Sequence, residues 1–214
     1  MQKIKETYQA LEEQLNIYTH GLGLILSLPA AVLLMRKAAA MQDTSALIAS
    51  GVFAFSLFLL YLASTLYHSA TIASKRKKLN IFDHSAIYVL IAGTYTPVAV
   101  ISLHNAWGWA ILTVIWTMAF AGILFKLFFT GRFKLASTIA YVAMGWVVVI
   151  ALKPMLSSMT HQGLLLLAAG GLAYTLGALL YQLKNIPFNH AVFHVFVLIG
   201  SCCHFLMVYC EILR

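Results

Sequence analysis

The chain has 214 residues, 62% of them hydrophobic and only 9% charged, with a mean hydropathy of +0.88 and a net charge of +8. A soluble domain carries roughly 25% charged residues, and a chain of this size has too little interior to hide so much apolar surface from water; a soluble fold is excluded, and lipid is the solvent. The excess of Lys and Arg reads as loop charge that sets membrane topology, and no nucleic-acid partner is expected, because there is no basic patch with interleaved aromatics and no nucleic-acid module.

In chain order, residues 1–16 form an amphipathic or cytosolic segment carrying Lys3, Lys5, Glu6, Glu12 and Glu13, and residues 17–214 form the membrane domain. Each spanning helix needs about 20 mostly apolar residues, and seven such runs follow. The first extends from about Ile17 to Met35 and the second from about Ala46 to His68. A basic loop, Lys75 to Lys78, leads to the third, Asp83 to Leu103. The fourth covers Trp107 to Phe128, with Trp107 and Trp109 as interface anchors, and the fifth Leu135 to Leu152, ended by Pro154, which cannot continue the hydrogen-bond ladder. The sixth runs from Gly163 to Leu183, Pro187 marks a turn, and the seventh runs from Asn189 to Leu213. Gly93 to Pro97, GTYTP, marks a kink or tight packing in the third. Cys202, Cys203 and Cys210 share one apolar run without CxxC spacing and read as small core residues. The expectation is an all-α integral membrane bundle of seven transmembrane helices.

Loop charge orients that bundle. With the N-terminus in the cytoplasm, ten basic residues (Lys3, Lys5, Lys75, Arg76, Lys77, Lys78, Lys126, Arg132, Lys134 and Lys184) lie inside, and four (Arg36, Lys37, Lys153 and Arg214) outside. This topology, derived without reference to histidine, brings a set of ionisable residues to one depth near the inner face. His68 ends the second run, Asp83 and His84 start the third, His190 and His194 start the seventh, and His20 lies one turn into the first. Ionisable groups inside spans are costly, which makes each a functional candidate.

In HAVFH, His190 and His194 stand four residues apart, so both rings lie on one helix face and can bind one metal ion. His68 is a candidate third ligand. Asp83 is a candidate ligand, or an acceptor for a metal-bound water. Three protein ligands plus water is the pattern of catalytic zinc; nitrogen ligation without thiolate also suits copper, nickel or iron, and zinc is favoured. Ser64 precedes His68 by four residues, and its hydroxyl is free either to bond the ring or the water or to bond its own helix carbonyl. His204, fourteen residues past His190, lies about 21 Å along the helix and is read as a separate buried polar contact. His104 and His161 fall in outer loops and are expected to be solvated, and Glu211, near the outer end, is expected to meet headgroups or solvent.

EEQLNIYTHGLG, STLYH, FDHSAIYVLIAGTYTP and NHAVFHVFVLIGSCCHF, in this order, resemble the hemolysin III family of bacterial membrane proteins, a branch of the wider progestin and adiponectin receptor group. The resemblance runs from about Glu12 to His204. It implies a seven-helix bundle in the bacterial plasma membrane with a cytoplasmic N-terminus. It also implies zinc held by His68, His190 and His194, with Asp83 acting through water and Ser64 beside it. The site layout of the family's eukaryotic receptors resembles alkaline ceramidases, which points to hydrolysis of a lipid amide, with membrane lipids as partners. The alternatives are a membrane sensor or homeostasis factor with a structural zinc that staples two helices, and a haemolysin; spans so poor in polar residues offer no evident wet lumen for a pore.

Overall fold

The computed structural model describes the backbone of residues 2–183 and 185–214 and the side chains of residues 7–183 and 185–214. Lys184, counted above among the inner basic residues, lies outside them, as do the side chains of Lys3, Lys5 and Glu6. Among the described residues there are eight α-helices and no strand: α1 (Gln2–Ala40), α2 (Thr44–Ser69), α3 (Ala73–Pro97), α4 (Ala106–Phe129), α5 (Lys134–Gly145), α6 (Leu152–Ser158), α7 (His161–Gln182) and α8 (Asn189–Leu206). A 3-10 stretch, Val147–Ala151, joins α5 to α6, and α3 and α8 each end in a π turn, Val98–Leu103 and Met207–Ile212. Seven helical segments are long and apolar enough to cross a membrane, α5 and α6 forming one of them. The chain is a multi-pass integral membrane protein. Helices and closed barrels are the forms that satisfy every backbone polar group within lipid.

Besides the end of α1, which runs on to Ala40 rather than stopping near Met35, three boundaries differ from the sequence expectation. α1 is continuous from Gln2, so the polar residues before Ile17 extend the first span rather than precede it. Its start is docked: Tyr8 stacks on Phe188 at 4.5 Å, and the Phe188 amide donates to the Tyr8 hydroxyl. Second, Lys75 to Lys78 occupy the first turns of α3 instead of a loop. Third, Pro154 does not end the fifth span. The α-helical ladder has already broken at Trp146–Ala151, so Pro154 falls in the first turn of α6, where its missing N–H has no intrahelical partner to lose.

α2 and α3 are the most deeply buried spans. α2 packs on α1 and α3, α1 also on α8, and α7 pairs with α8. The α2–α3 approach is close: a Cβ on Gly93 would stand 2.2 Å from the Ser56 hydroxyl oxygen. GTYTP therefore marks tight packing, and its tyrosine does more. The Tyr95 hydroxyl donates to the Gly145 carbonyl at 2.7 Å and accepts the Val148 amide at 2.9 Å, so α3 holds the break between α5 and the 3-10 stretch. After Pro97 the helix widens into the π turn, and His104, at φ +39°, closes it. The reading of the cysteines as core residues is corrected: Cys202 and Cys210 are exposed on the outside of the bundle and Cys203 is half-buried. An exposed thiol on an apolar span packs against lipid, which solvates it as well as a core would.

Candidate metal centre

His68 ends α2, and His190 and His194 lie on the first turns of α8. Potential ligand atoms from all three lie within 4.8 Å of one another, with His68 and His194 buried and His190 half-buried. The ring centroids are 4.8 Å (His68–His190), 5.1 Å (His68–His194) and 4.7 Å (His190–His194) apart. Phe188 precedes α8 in the left-handed region, at φ +53°, which is unusual for a bulky residue. Its stack on Tyr8 holds that turn and sets the angle at which α8, and with it the HxxxH pair, enters the bundle.

The hydrogen bonds around the cluster determine which ring nitrogens face inward. The His68 Nδ1 lies 2.7 Å from the Glu13 Oε2, and an ionised carboxylate only accepts, so Nδ1 carries the proton. The His68 Nε2 is then a lone-pair donor, and it is buried with no hydrogen-bond partner among the described residues. The Thr19 hydroxyl spends its proton on the Leu15 carbonyl at 2.8 Å, so at 3.2 Å from the His194 Nδ1 it accepts. His194 is thereby fixed in the same tautomer. A histidine whose Nδ1–H is tied to a carboxylate or hydroxyl while its Nε2 lies open is the arrangement metal-ligating histidines adopt. The donor set, three imidazoles without thiolate, is compatible with zinc.

Glu13 does a second job, since its Oε1 accepts from Arg76 of α3 at 2.5 Å. One carboxylate on α1 thus joins the ends of α2 and α3. Glu12 Oε1 faces the His190 backbone amide at 3.4 Å. Sequence reasoning placed Glu12 and Glu13 outside the membrane domain and gave Thr19 no role. The signal was present: Glu13, Asn16 and His20 recur at i, i+3 and i+7, a polar stripe on one face of an otherwise apolar helix. His20 is buried and its ring stacks on His194, centroids 3.5 Å apart.

Asp83 is buried on α3 and lines the same cavity as His190 and His194, with its Oδ2 3.6 Å from the His84 Nδ1. His84 Nδ1 donates to the Asn80 carbonyl at 2.8 Å. Ser64 also lines the cavity, buried, its hydroxyl without a hydrogen-bond partner among the described residues. Ser56, Thr65 and Ser69 on α2 donate to carbonyls of their own helix, whereas Ser50 and Tyr61, like Ser64, have no such bond. Ser64 therefore does not take the ordinary helix-carbonyl bond, one of the two roles the sequence left open. The cavity has a volume of about 490 Å³ and is otherwise mostly apolar.

The residues expected elsewhere are elsewhere. The His204 Nε2 donates to the Leu167 carbonyl at 3.2 Å, a contact between α8 and α7. His104 and His161 are exposed. Glu211, expected to meet headgroups or solvent, is instead half-buried and accepts the Thr160 hydroxyl at 2.6 Å.

Fold and site together define a class: a seven-helix membrane protein with a three-histidine cluster set at one end of the bundle. The chain belongs to the Haemolysin-III related family, whose model matches residues 8–205. It is 48% identical to "Hemolysin-3" of Bacillus cereus over 92% of this chain and 90% of that protein. It is 46% identical to "Hemolysin-3 homolog" of Bacillus subtilis (strain 168), over 93% and 94%. A human relative, "Monocyte to macrophage differentiation factor", is 26% identical over 92% of this chain and 83% of its own length, in line with a place in the wider progestin and adiponectin receptor group.

Proposed function

We propose that the protein is a zinc-dependent hydrolase of a lipid amide, acting on membrane lipid. The observation that carries this reading is the conjunction of an open-sided histidine cluster with an apolar cavity of lipid-accepting size, about 490 Å³, that both Asp83 and Ser64 line. Pockets for small-molecule ligands fall at about 300–1,000 Å³.

His68, His190 and His194 would hold the zinc through ring nitrogens, with Glu13 and Thr19 keeping the Nδ1 protons of His68 and His194 away from it. Bound there, zinc would acidify a water and polarise the substrate carbonyl. The apolar wall takes the acyl chain and excludes bulk water. The Asp83 carboxylate receives the proton of the attacking water and passes it to the leaving amine nitrogen. The Ser64 hydroxyl, buried beside Asp83 and not bonded to its own helix, orients the carbonyl or the water by donating to its oxygen. The proposed cytoplasmic face for this chemistry rests on the loop-charge bias.

The test combines metal analysis of the purified chain with lipidomics of its reactions with candidate lipid amides. About one zinc per chain with release of fatty acid supports the reading. One zinc per chain with no turnover by any lipid amide rejects it in favour of a zinc-stapled membrane sensor. The haemolysin in the relatives' names gains no support from spans with so few polar residues.

A further inference from the structure

Lys126, near the end of α4, is 2% exposed and lines the same cavity. Its ammonium donates to the Ser137 hydroxyl of α5 at 2.5 Å. Ser137 uses its own proton on the Phe133 carbonyl at 2.9 Å, so it can only accept from the lysine. The Tyr141 ring stands 5.7 Å from the ammonium, a cation–π contact. No carboxylate lies within ion-pair distance of Lys126 among the described residues. An ammonium has three donors, and a buried charge is costly unless paired. Here one proton is bonded and the charge has no counter-ion. Lys134, exposed at the start of α5, lines the same cavity.

The surroundings say what kind of anion fits. The Tyr141 hydroxyl donates to the His84 carbonyl at 2.9 Å, so Lys126 sits on the polar edge of the cavity that continues through His84 to Asp83. Beyond that edge the wall is mostly hydrocarbon, with Ile87, Ile91, Val142, Leu164 and Leu167 among its residues. A cation at one rim and an apolar volume behind it are complementary to an amphiphile: an anionic group on an acyl chain.

We infer that Lys126, with Lys134 on the same cavity, binds the anionic group, phosphate or carboxylate, of a long-chain amphiphile whose hydrocarbon fills the cavity. The inference is independent of hydrolysis, since a protein without amidase activity would still show it. Loss of this selectivity would also leave the histidine cluster and its metal content untouched.

Native mass spectrometry of the purified full-length chain reads it directly. The protein is offered equimolar pairs that share chains and differ in charge: phosphatidate with diacylglycerol, and a fatty acid with its primary alcohol. Wild-type protein should retain the charged member of at least one pair by about tenfold, the scale of one charge-assisted hydrogen bond. The phosphatidate pair and the fatty-acid pair tell phosphate from carboxylate. Lys126→Met should bring the ratio near unity with zinc content unchanged, and Lys126→Arg should keep most of the preference. Equal retention of charged and neutral members by wild type overturns the inference without any variant. So does a preference that survives in Lys126→Met, or one that millimolar inorganic phosphate abolishes, which would mark a site for a free anion.

Discussion

Each of the three histidines contributes a nitrogen that nothing else in the cluster replaces. His68→Ala, His190→Ala and His194→Ala should each strongly lower the expected occupancy of about one zinc per chain, read by elemental analysis. Glu13→Gln should be milder: the amide can still accept from His68 Nδ1, but it brings no charge to hold the proton there. A weakening of zinc affinity by about 10–100-fold is expected, as for other supporting residues, measured by competition with a chelator; an unchanged affinity would reduce Glu13 to its ion pair with Arg76. Asp83→Asn should largely keep zinc and lose any hydrolase turnover, because an amide cannot receive the proton. If Asp83→Asn empties the site as fully as the histidine variants, Asp83 is itself a ligand and the water-activation scheme fails. His104→Ala and His161→Ala should leave metal content unchanged, since neither belongs to the cluster.

At the scale of elements, the site depends on how closely α2 and α3 approach and how α8 enters. Gly93→Ala would set a methyl 2.2 Å from the Ser56 Oγ and 2.5 Å from its Cβ, so the helices must part. A cost of about 1–3 kcal/mol is expected, as for other overpacked cores, visible as a lower unfolding temperature in detergent. Adding Ser56→Gly should recover much of it, and Gly21→Ala, which meets nothing within 4 Å, should not show it. Helix existence was legible in the sequence, because continuous apolar runs of about 20 residues suit a spanning helix and not the short alternating strands of a barrel. Helix ends were less so. Pro154 looked like a terminator because its local effect on a ladder is known, whereas the earlier break is held by Tyr95, some fifty residues away. The stretch before Ile17 looked detached because its charges suit water, yet Glu13 finds its partners on α2 and α3.

At the scale of the molecule, the polar chemistry gathers at one end. Arg76, from the basic stretch at the start of α3, bonds the same carboxylate as His68, so the histidine cluster and the basic residues share that end of the bundle. Loop charge predicts that this end faces the cytoplasm and Arg214 the outside. Single cysteines at positions 77 and 214, in a background lacking Cys202, Cys203 and Cys210, should be labelled from the inner and outer sides respectively. Two of those native thiols are exposed, so the background is needed. Labelling of position 77 from outside intact cells would invert the topology.

By itself the sequence determined that the chain is a seven-span helical membrane protein, and it named His68, Asp83, His190 and His194. Hydropathy and the i, i+4 spacing are local properties, and a charge inside a span stands out against apolar neighbours. Only the tertiary structure decided which nitrogen of His68 is open and which of His194 carries its proton, that Glu13 and Thr19 belong to the site, that Ser64 is uncommitted to its helix, and that Lys126 looks into the cavity. The reason is physical. A tautomer, an orphaned hydroxyl and an unpaired ammonium are defined by what lies within about 3 Å of them, and those neighbours come from helices far apart in the chain.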